Sequence, residues 1–368
     1  MLAIAASGQT ADEIIEQLKS SYAPDTRVAV WEIKSAVADD GTVTLTGKMD
    51  NAQACDLLSV VMAAVGIKCR NEITVLPCDT TLEEWALPAL PFVHLRAEPR
   101  HGSELASQVL MGSPLRLLEQ DGEWIRVQSP DGYIGWVVGN GLQQLSDQQL
   151  YNWKKHSFRF IVTCTSSNLY ADARCTEILS PLVLGDILEA EEIGEELIQL
   201  RTPDNRIGYV RAPDVKPLGE WAKQKFNPEL IINTARRLLG STYLWGGTST
   251  AGVDCSGLTK TCYFANGIIL QRDASQQVLY GEKLSPEQWR EAQPGDLFYF
   301  GNKRGRVTHT AIYMGDGLYI HSSGRVKINS IDPEADGYLS TPFLSINRIN
   351  GQVGTPGIVA VKDHPWYF

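Results

Sequence analysis

After Thr10 apolar residues recur at helical spacing, at Ile14, Ile15, Leu18 and Tyr22, and a second such run covers residues 52–65 and stops at Gly66. The spacing predicts two helices, the first capped by Thr10 and the second ended by a glycine suited to the C′ position. Around them the pattern changes to alternation at Val28–Ile33, Val43–Gly47 and Ile73–Pro77, with a turn at Asp39-Asp40-Gly41. The order α-β-β-α-β describes a small α/β unit over residues 1–80, and nothing in it is catalytic in kind.

The next stretch contains one phrase written twice. Glu123-Trp-Ile-Arg-Val-Gln-Ser-Pro-Asp-Gly-Tyr-Ile-Gly-Trp-Val137 is matched by Glu196-Leu-Ile-Gln-Leu-Arg-Thr-Pro-Asp-Asn-Arg-Ile-Gly-Tyr-Val210. In each, alternating apolar residues enter a Pro-Asp turn and leave through Ile-Gly-aromatic-Val, the pattern of a β-hairpin. Strand-like runs precede both copies, at Leu110–Leu118 and Leu182–Glu191, so two small β domains are expected at 81–148 and 149–218. From 219 to 368 the texture differs. Glu229–Leu239 is helical in period, a second helix starts at Asp254-Cys255 and ends at Asn266-Gly267, and strand candidates follow at Asp296–Phe300, His309–Met314, Leu318–His321 and Ile358–Val361. Helices followed by antiparallel-compatible strands make this last unit α+β, and the whole chain a multidomain α+β protein.

Composition narrows the partners. The 368 residues carry 33 Lys and Arg against 43 Asp and Glu, a net charge of -10. That field repels phosphate backbones and anionic lipid, so nucleic acid is not an expected partner. No apolar run approaches the ~20 residues that cross a bilayer. Residues 1–8 are apolar and then small, as the tail of a signal peptide would be, but lack a basic start. This tilts the expected compartment toward the cell envelope, with the cytoplasm as the alternative. The seven cysteines contain no Cys-x-x-Cys pair, which argues against a structural zinc, and their odd number leaves at least one thiol unpaired.

Cys255 is the thiol with a chemical context. It opens a helix, where the macrodipole favours thiolate, with Asp254 as N-cap and the small Ser256 and Gly257 leaving room for a substrate. Cys262, seven residues on along the same helical face, reads as core. A nucleophilic cysteine needs a base, and of the six histidines only His309 and His321 fall in strand-like runs, joined at Asp316-Gly317. An antiparallel pair would put both on one face, His309 as base and His321 orienting its ring.

Tyr243-Leu-Trp-Gly-Gly247, Asp254-Cys-Ser-Gly-Leu258, Gln293-Pro-Gly-Asp-Leu297, His309-Thr-Ala-Ile-Tyr-Met-Gly315 and Tyr319-Ile-His-Ser-Ser323 together resemble the NlpC-type papain-like murein peptidases over roughly residues 225 to 365. The resemblance implies a papain-like core with Cys255 as nucleophile, His309 as base, His321 as third member and the Tyr243 hydroxyl beside the oxyanion. The repeated β domains resemble bacterial SH3-like modules, and the N-terminal unit, with Val43-Thr-Leu-Thr-Gly47, resembles BON domains. This architecture is similar to the γ-D-glutamyl-L-diamino acid endopeptidases (dipeptidyl-peptidase VI). These release L-Ala-D-Glu by cutting the γ-D-Glu–diaminopimelate (or Lys) bond of murein peptides with a free N-terminal L-Ala.

In that subfamily acidic and tyrosine groups hold the free amine. Asp273, in Arg272-Asp273-Ala274, inherits the role, with Ala274 departing from the subfamily's serine, and Glu104 and Tyr133 are candidates from the first β domain. The repeat supports Tyr133 independently, since Arg206 takes its place in the second copy. Trp245, Asp254 and Ser256 complete the expected substrate-binding set. No metal or organic cofactor is called for. A murein peptide is the expected partner, and the oligomeric state stays open, with a monomer as default. The alternatives are an amidase or acyltransferase on the same Cys-His-His core, or a non-catalytic peptidoglycan-binding protein.

Overall fold

The computed structural model describes residues 9–79 and 81–368; the apolar segment 1–8 expected as a signal remnant lies outside the described residues. In the N-terminal unit, helix α1 (Ala11–Tyr22) is capped by Thr10 and Glu13 in a reciprocal box, as the sequence pattern predicts. Strands β1 (Trp31–Val37) and β2 (Val43–Met49) pair antiparallel, and β3 (Cys69–Val75) joins β2 in parallel. The parallel pairing requires a crossover, which helix α2 (Ala52–Ala64) supplies. Ile14, Leu18, Leu58 and Met62 close against Leu45 and Met49, all nearly or fully buried.

The first strand starts three residues later than alternation predicts. Residues 26–28 form a turn in which the Asp25 carboxylate accepts from the Arg27 backbone N–H at 3.0 Å, and this holds Arg27 outside the sheet. β3 starts earlier than expected because its pairing with β2 begins at Cys69 opposite Val43.

Two seven-stranded antiparallel sheets follow. The spatial order of the first is 142–145, 85–88, 115–121, 124–128, 134–138, 92–96, 105–110; that of the second is 215–217, 159–162, 187–193, 197–201, 207–211, 166–170, 178–183. Each position in one order has its counterpart in the other. The repeat that the sequence shows in one hairpin, now Trp124–Gln128 with Ile134–Val138 and Leu197–Arg201 with Ile207–Arg211, therefore extends to whole domains. The helix Asp147–Lys155 between them escapes the pattern reading, although Ser146 and Gln149 form a capping box at its start.

The C-terminal unit packs helices α3 (Pro228–Arg237) and α4 (Cys255–Phe264) against an antiparallel sheet. Its strands are β4 (Glu282–Leu284), β5 (Leu297–Gly301), β6 (Val307–Gly315), β7 (Leu318–Ser323), β8 (Arg325–Ser330) and β9 (Phe343–Arg348), in the order β4-β9-β5-β6-β7-β8. Leu258, Cys262 and Tyr263 of α4 are fully buried among Leu297, Tyr299, Ile312 and Ile320, so Cys262 is core, as expected.

The units are fastened to one another. Gln108 of the first β domain exchanges hydrogen bonds with Thr248 and Ser249 (2.8–3.2 Å), and the buried Asp131 pairs with Lys260 of α4. The N-terminal unit docks on the first β domain through Lys48–Glu119 and Arg126–Glu32 ion pairs and a hydrogen bond from the Ile134 N–H to the Arg27 carbonyl (2.7 Å). A small apolar cluster of Val30, Leu76, Leu118 and Ile134 lies beneath. Leu118→Ala opens that cluster and should weaken docking by ~2–4 kcal/mol. Limited proteolysis should then release the N-terminal unit sooner; an unchanged rate would mean that the polar contacts alone hold it.

Candidate active site

The start of α4 is fixed by a buried ion pair. Asp254 caps the helix by accepting from the Gly257 N–H at 2.7 Å, and its other oxygen accepts from the Gly246 N–H at 3.0 Å. Arg272, 1% exposed, donates to both oxygens (2.5 and 3.3 Å) and to the Ser256 hydroxyl (3.0 Å). A carboxylate with this many donors is held in one orientation, and so is the residue after it, Cys255. The small size of Ser256 and Gly257, expected to leave room for a substrate, also has a structural cause. Ser256 is engaged by Arg272, and a Cβ on Gly257 would meet the Gly247 carbonyl at 1.9 Å, so this glycine serves helix packing. Asp254 and Ser256 line the cleft, but their polar atoms are already taken.

The thiol is 8% exposed, and burial together with the Asp254 charge pushes it up to about 11. This reverses the expectation of a thiolate favoured by the helix dipole: desolvation outweighs a dipole effect of ~1 kcal/mol. Cys255 lies against the backbone N–H of Thr310, one residue beyond His309. Burial, His321 and Lys327 push His309 down to about 3, so both members of the pair rest uncharged at neutral pH.

The histidines do share one sheet face, on β6 and β7. His309 Nε2 and His321 Nδ1 are 2.7 Å apart, and His321 Nε2 is 2.9 Å from Asn329 Oδ1. Asn329, on β8, donates its Nδ2 to the Gly337 carbonyl at 2.7 Å, which fixes the amide orientation. The tautomers follow. Asn329 Oδ1 can only accept, so His321 carries its proton on Nε2 and accepts on Nδ1; His309 then donates from Nε2, and its Nδ1 is left with a free lone pair. The arrangement can take a proton from a thiol.

The rest of the cleft is shared between the C-terminal unit and the first β domain. The Tyr133 hydroxyl donates to Asp273 Oδ2 at 3.2 Å, and the Trp245 indole donates to Glu104 at 2.7 Å. Tyr243 sits close enough to Cys255 that burial and then the thiol's charge raise its hydroxyl. Tyr133, Glu104, Tyr243, Trp245, Asp273 and Cys255 line one cleft of about 450 Å³, with Arg306 on its rim. Arg206, the counterpart of Tyr133, points elsewhere and donates to the Ala89 carbonyl at 2.6 Å, joining the two β domains.

Residues 240–348 match the NlpC/P60 family, and residues 95–142 match the bacterial dipeptidyl-peptidase Sh3 domain. The C-terminal unit is an NlpC/P60 domain. The two β sheets before it are SH3-like. Dipeptidyl-peptidase 6 of Lysinibacillus sphaericus is 29% identical over 275 residues, 70% of this chain and 96% of that protein. The Gamma-D-glutamyl-L-lysine dipeptidyl-peptidase of Bacillus cereus is also 29% identical, over 60% of this chain and 68% of its own length. The crystal structure of an NlpC/P60 family protein from Bacillus cereus shares the fold, with a TM-score of 0.62 at 22% identity over 72% of this chain and 99% of that one.

Three residues at the NlpC/P60 site carry no mark in the sequence pattern. Arg272 stands in the motif beside Asp273 but reads there as a neighbour. Asn329 becomes visible only once β8 pairs with β7, which puts it diagonally from His321 on the same face. Arg27 belongs to the unit expected to stand apart from chemistry, yet it lines the cleft.

A buried neutral thiol has a measurable signature. Alkylation of Cys255 by iodoacetamide, followed by peptide mass spectrometry, should speed up about tenfold per pH unit from pH 6 to 9, as the thiolate fraction grows. A plateau reached near neutrality would show a resting thiolate–imidazolium pair instead.

Proposed function

We propose that this protein is a cysteine endopeptidase that hydrolyses the γ-D-Glu–diaminopimelate (or Lys) bond of murein peptides with a free N-terminal L-Ala. The observation that carries the reading is that Cys255, Asp273 and Tyr133 line one cleft, with the thiol against the backbone N–H of Thr310, the residue next to His309 of the oriented histidine pair. The Bacillus cereus relative, a Gamma-D-glutamyl-L-lysine dipeptidyl-peptidase by name, supports the bond class. In this reading the C-terminal unit, 219–368, is papain-like. The SH3-like modules take 81–148 and 149–218, and the BON-like unit takes 1–80.

The reaction is acyl transfer to water. His309 Nδ1 takes the Cys255 proton as sulfur attacks the γ-carbonyl carbon of D-Glu. The oxyanion is met by the Cys255 N–H, which as the first helical donor has no partner within the helix, and by the Tyr243 hydroxyl. Burial raises that hydroxyl, keeping it protonated and able to donate. The C–N bond breaks as His309 returns the proton to the departing amine of the diamino acid, leaving a thioester. His309 then deprotonates water, which attacks the thioester; L-Ala-D-Glu leaves and the thiol is restored. A neutral resting pair suits this sequence because the base must be unprotonated at the start.

His321 holds the His309 ring, and Asn329 holds the His321 tautomer. Asn329→Leu should therefore lower kcat by about 10- to 100-fold and leave KM within about threefold, because the loss falls on proton transfer and spares binding. Equal losses in both parameters would place Asn329 in a purely structural role. The substrate is tested by incubating L-Ala-γ-D-Glu-diaminopimelate with the protein and following released dipeptide by mass spectrometry. Cys255→Ala should abolish release. N-acetylating the substrate should lower kcat/KM by about 10- to 100-fold, since a charged hydrogen bond of ~1.4–2.8 kcal/mol is lost. Equal rates on both peptides would show that the terminus is not read.

A further inference from the structure

We propose that Arg27, supplied by the N-terminal unit, is a specificity-determining residue whose guanidinium shares the carboxylate of Asp273 and so limits how strongly the cleft favours a free N-terminal amine. The inference rests on the reading of Asp273 as the amine's partner. It concerns what that reading leaves open, namely why a separate domain reaches the same carboxylate.

The contacts are specific. Arg27 Nη1 donates to Asp273 Oδ2 at 2.7 Å and to the Ser275 hydroxyl at 2.9 Å. The same Oδ2 accepts from the Tyr133 hydroxyl. An incoming ammonium meets a carboxylate that already holds a cation. Arg27 is not free to swing away, because Nε and Nη2 each donate to one oxygen of Asp25 at 2.8 Å. Asp25 is tied back to the C-terminal unit by Gln276, which donates to it at 2.8 Å. The Arg27 carbonyl is fixed by the Ile134 N–H of the first β domain. Three units thus meet at one residue.

Counting formal charge gives the direction. Arg272, whose Nη1 also lies 3.9 Å from Asp273 Oδ1, is cancelled by Asp254, and Asp25, Arg27 and Asp273 then sum to -1, enough to attract an ammonium, though less than Asp25 and Asp273 would at -2 without Arg27. Replacing Asp25 by asparagine brings the sum to zero. Removing Arg27 should therefore strengthen recognition of the free amine, whereas neutralising Asp25 should weaken it. Losing a mere structural contact would weaken it in both cases. The Arg27 side chain is 37% exposed, so solvent screens the effect to a modest size.

Steady-state kinetics on the full chain, with L-Ala-γ-D-Glu-diaminopimelate and its N-acetyl form, test this. Arg27→Gln should lower KM for the free peptide by roughly five- to tenfold, with kcat within twofold and the acetylated peptide unaffected. Asp25→Asn should raise KM for the free peptide by a similar factor, and Arg27→Lys, which keeps the cation, should move KM less than Arg27→Gln. A KM that rises in both Arg27→Gln and Asp25→Asn, or that does not move in Arg27→Gln, overturns the proposal. Should Arg27→Gln fail to fold by thermal denaturation, Asp25→Asn is compared with Asp25→Glu, which keeps the charge and disturbs the contacts: a KM that does not rise in Asp25→Asn, or that rises as much in Asp25→Glu, overturns it. Wild-type protein that cleaves neither peptide, or both equally, overturns the reading of the site and the proposal with it. Wild-type preference for the free peptide combined with an unmoved Arg27→Gln overturns the proposal alone.

Discussion

The site depends on one buried ion pair, between Asp254 and Arg272. A guanidinium taken out of water at this depth is tolerable only against a carboxylate that is itself fully engaged. Asp254 meets the condition by accepting from the Gly257 and Gly246 backbone and from Ser256 as well as from Arg272. Burial pulls the Arg272 guanidinium down, and the Asp254 charge and hydrogen bonds more than offset it, so the pair stays ionised. One interaction thereby sets the first turn of α4, the loop that carries Tyr243 and Trp245, and the segment that presents Asp273. Removing either partner leaves the other charged and buried, which is why the pair is a constraint on the whole site more than a source of stability.

From that constraint the electrostatics of the cleft follow. Burial holds the Cys255 thiol protonated, and the carboxylate that caps α4 adds its negative charge to the effect. Burial and the neighbouring His321 and Lys327 hold His309 unprotonated. The two shifts are of opposite sense and together keep the pair neutral until a substrate enters. The hydrogen-bonded row from Gly337 through Asn329 and His321 to His309 leaves His309 with its lone pair on Nδ1. A chain of side chains on adjacent strands fixes a proton position that no single residue could fix.

The far end of the cleft is made by domain assembly. Tyr133 reaches Asp273 only because the first β domain is locked to α4 by Asp131 and Lys260 and to the segment Thr248–Ser249 ahead of it by Gln108. Arg27 reaches it only because the N-terminal unit is seated on that β domain over Leu118 and Ile134. The second β domain, with the same strand order, has Arg206 where Tyr133 would be and spends it on the Ala89 carbonyl of the first. Two copies of one fold thus serve different ends, one contributing to the cleft and the other to the scaffold.

Several features were legible in the chain because they are local. Capping at Thr10, the repeated hairpins, the helix start at Asp254-Cys255 and the strand character around His309 and His321 each arise within about ten residues of sequence, where periodicity and turn chemistry act directly. The strands of the N-terminal unit were displaced by several residues because pairing register, and the turn around Asp25, settle strand ends that alternation leaves open. What the tertiary structure alone decided was charge and partnership. The thiolate suggested by the helix dipole is undone by burial, a property of the whole fold. Arg27, Arg272 and Asn329 acquire their partners from residues 246, 18 and 8 positions away. Sequence spacing carries helix and strand periods; the desolvation of a side chain, and which distant carboxylate it meets, come only from packing.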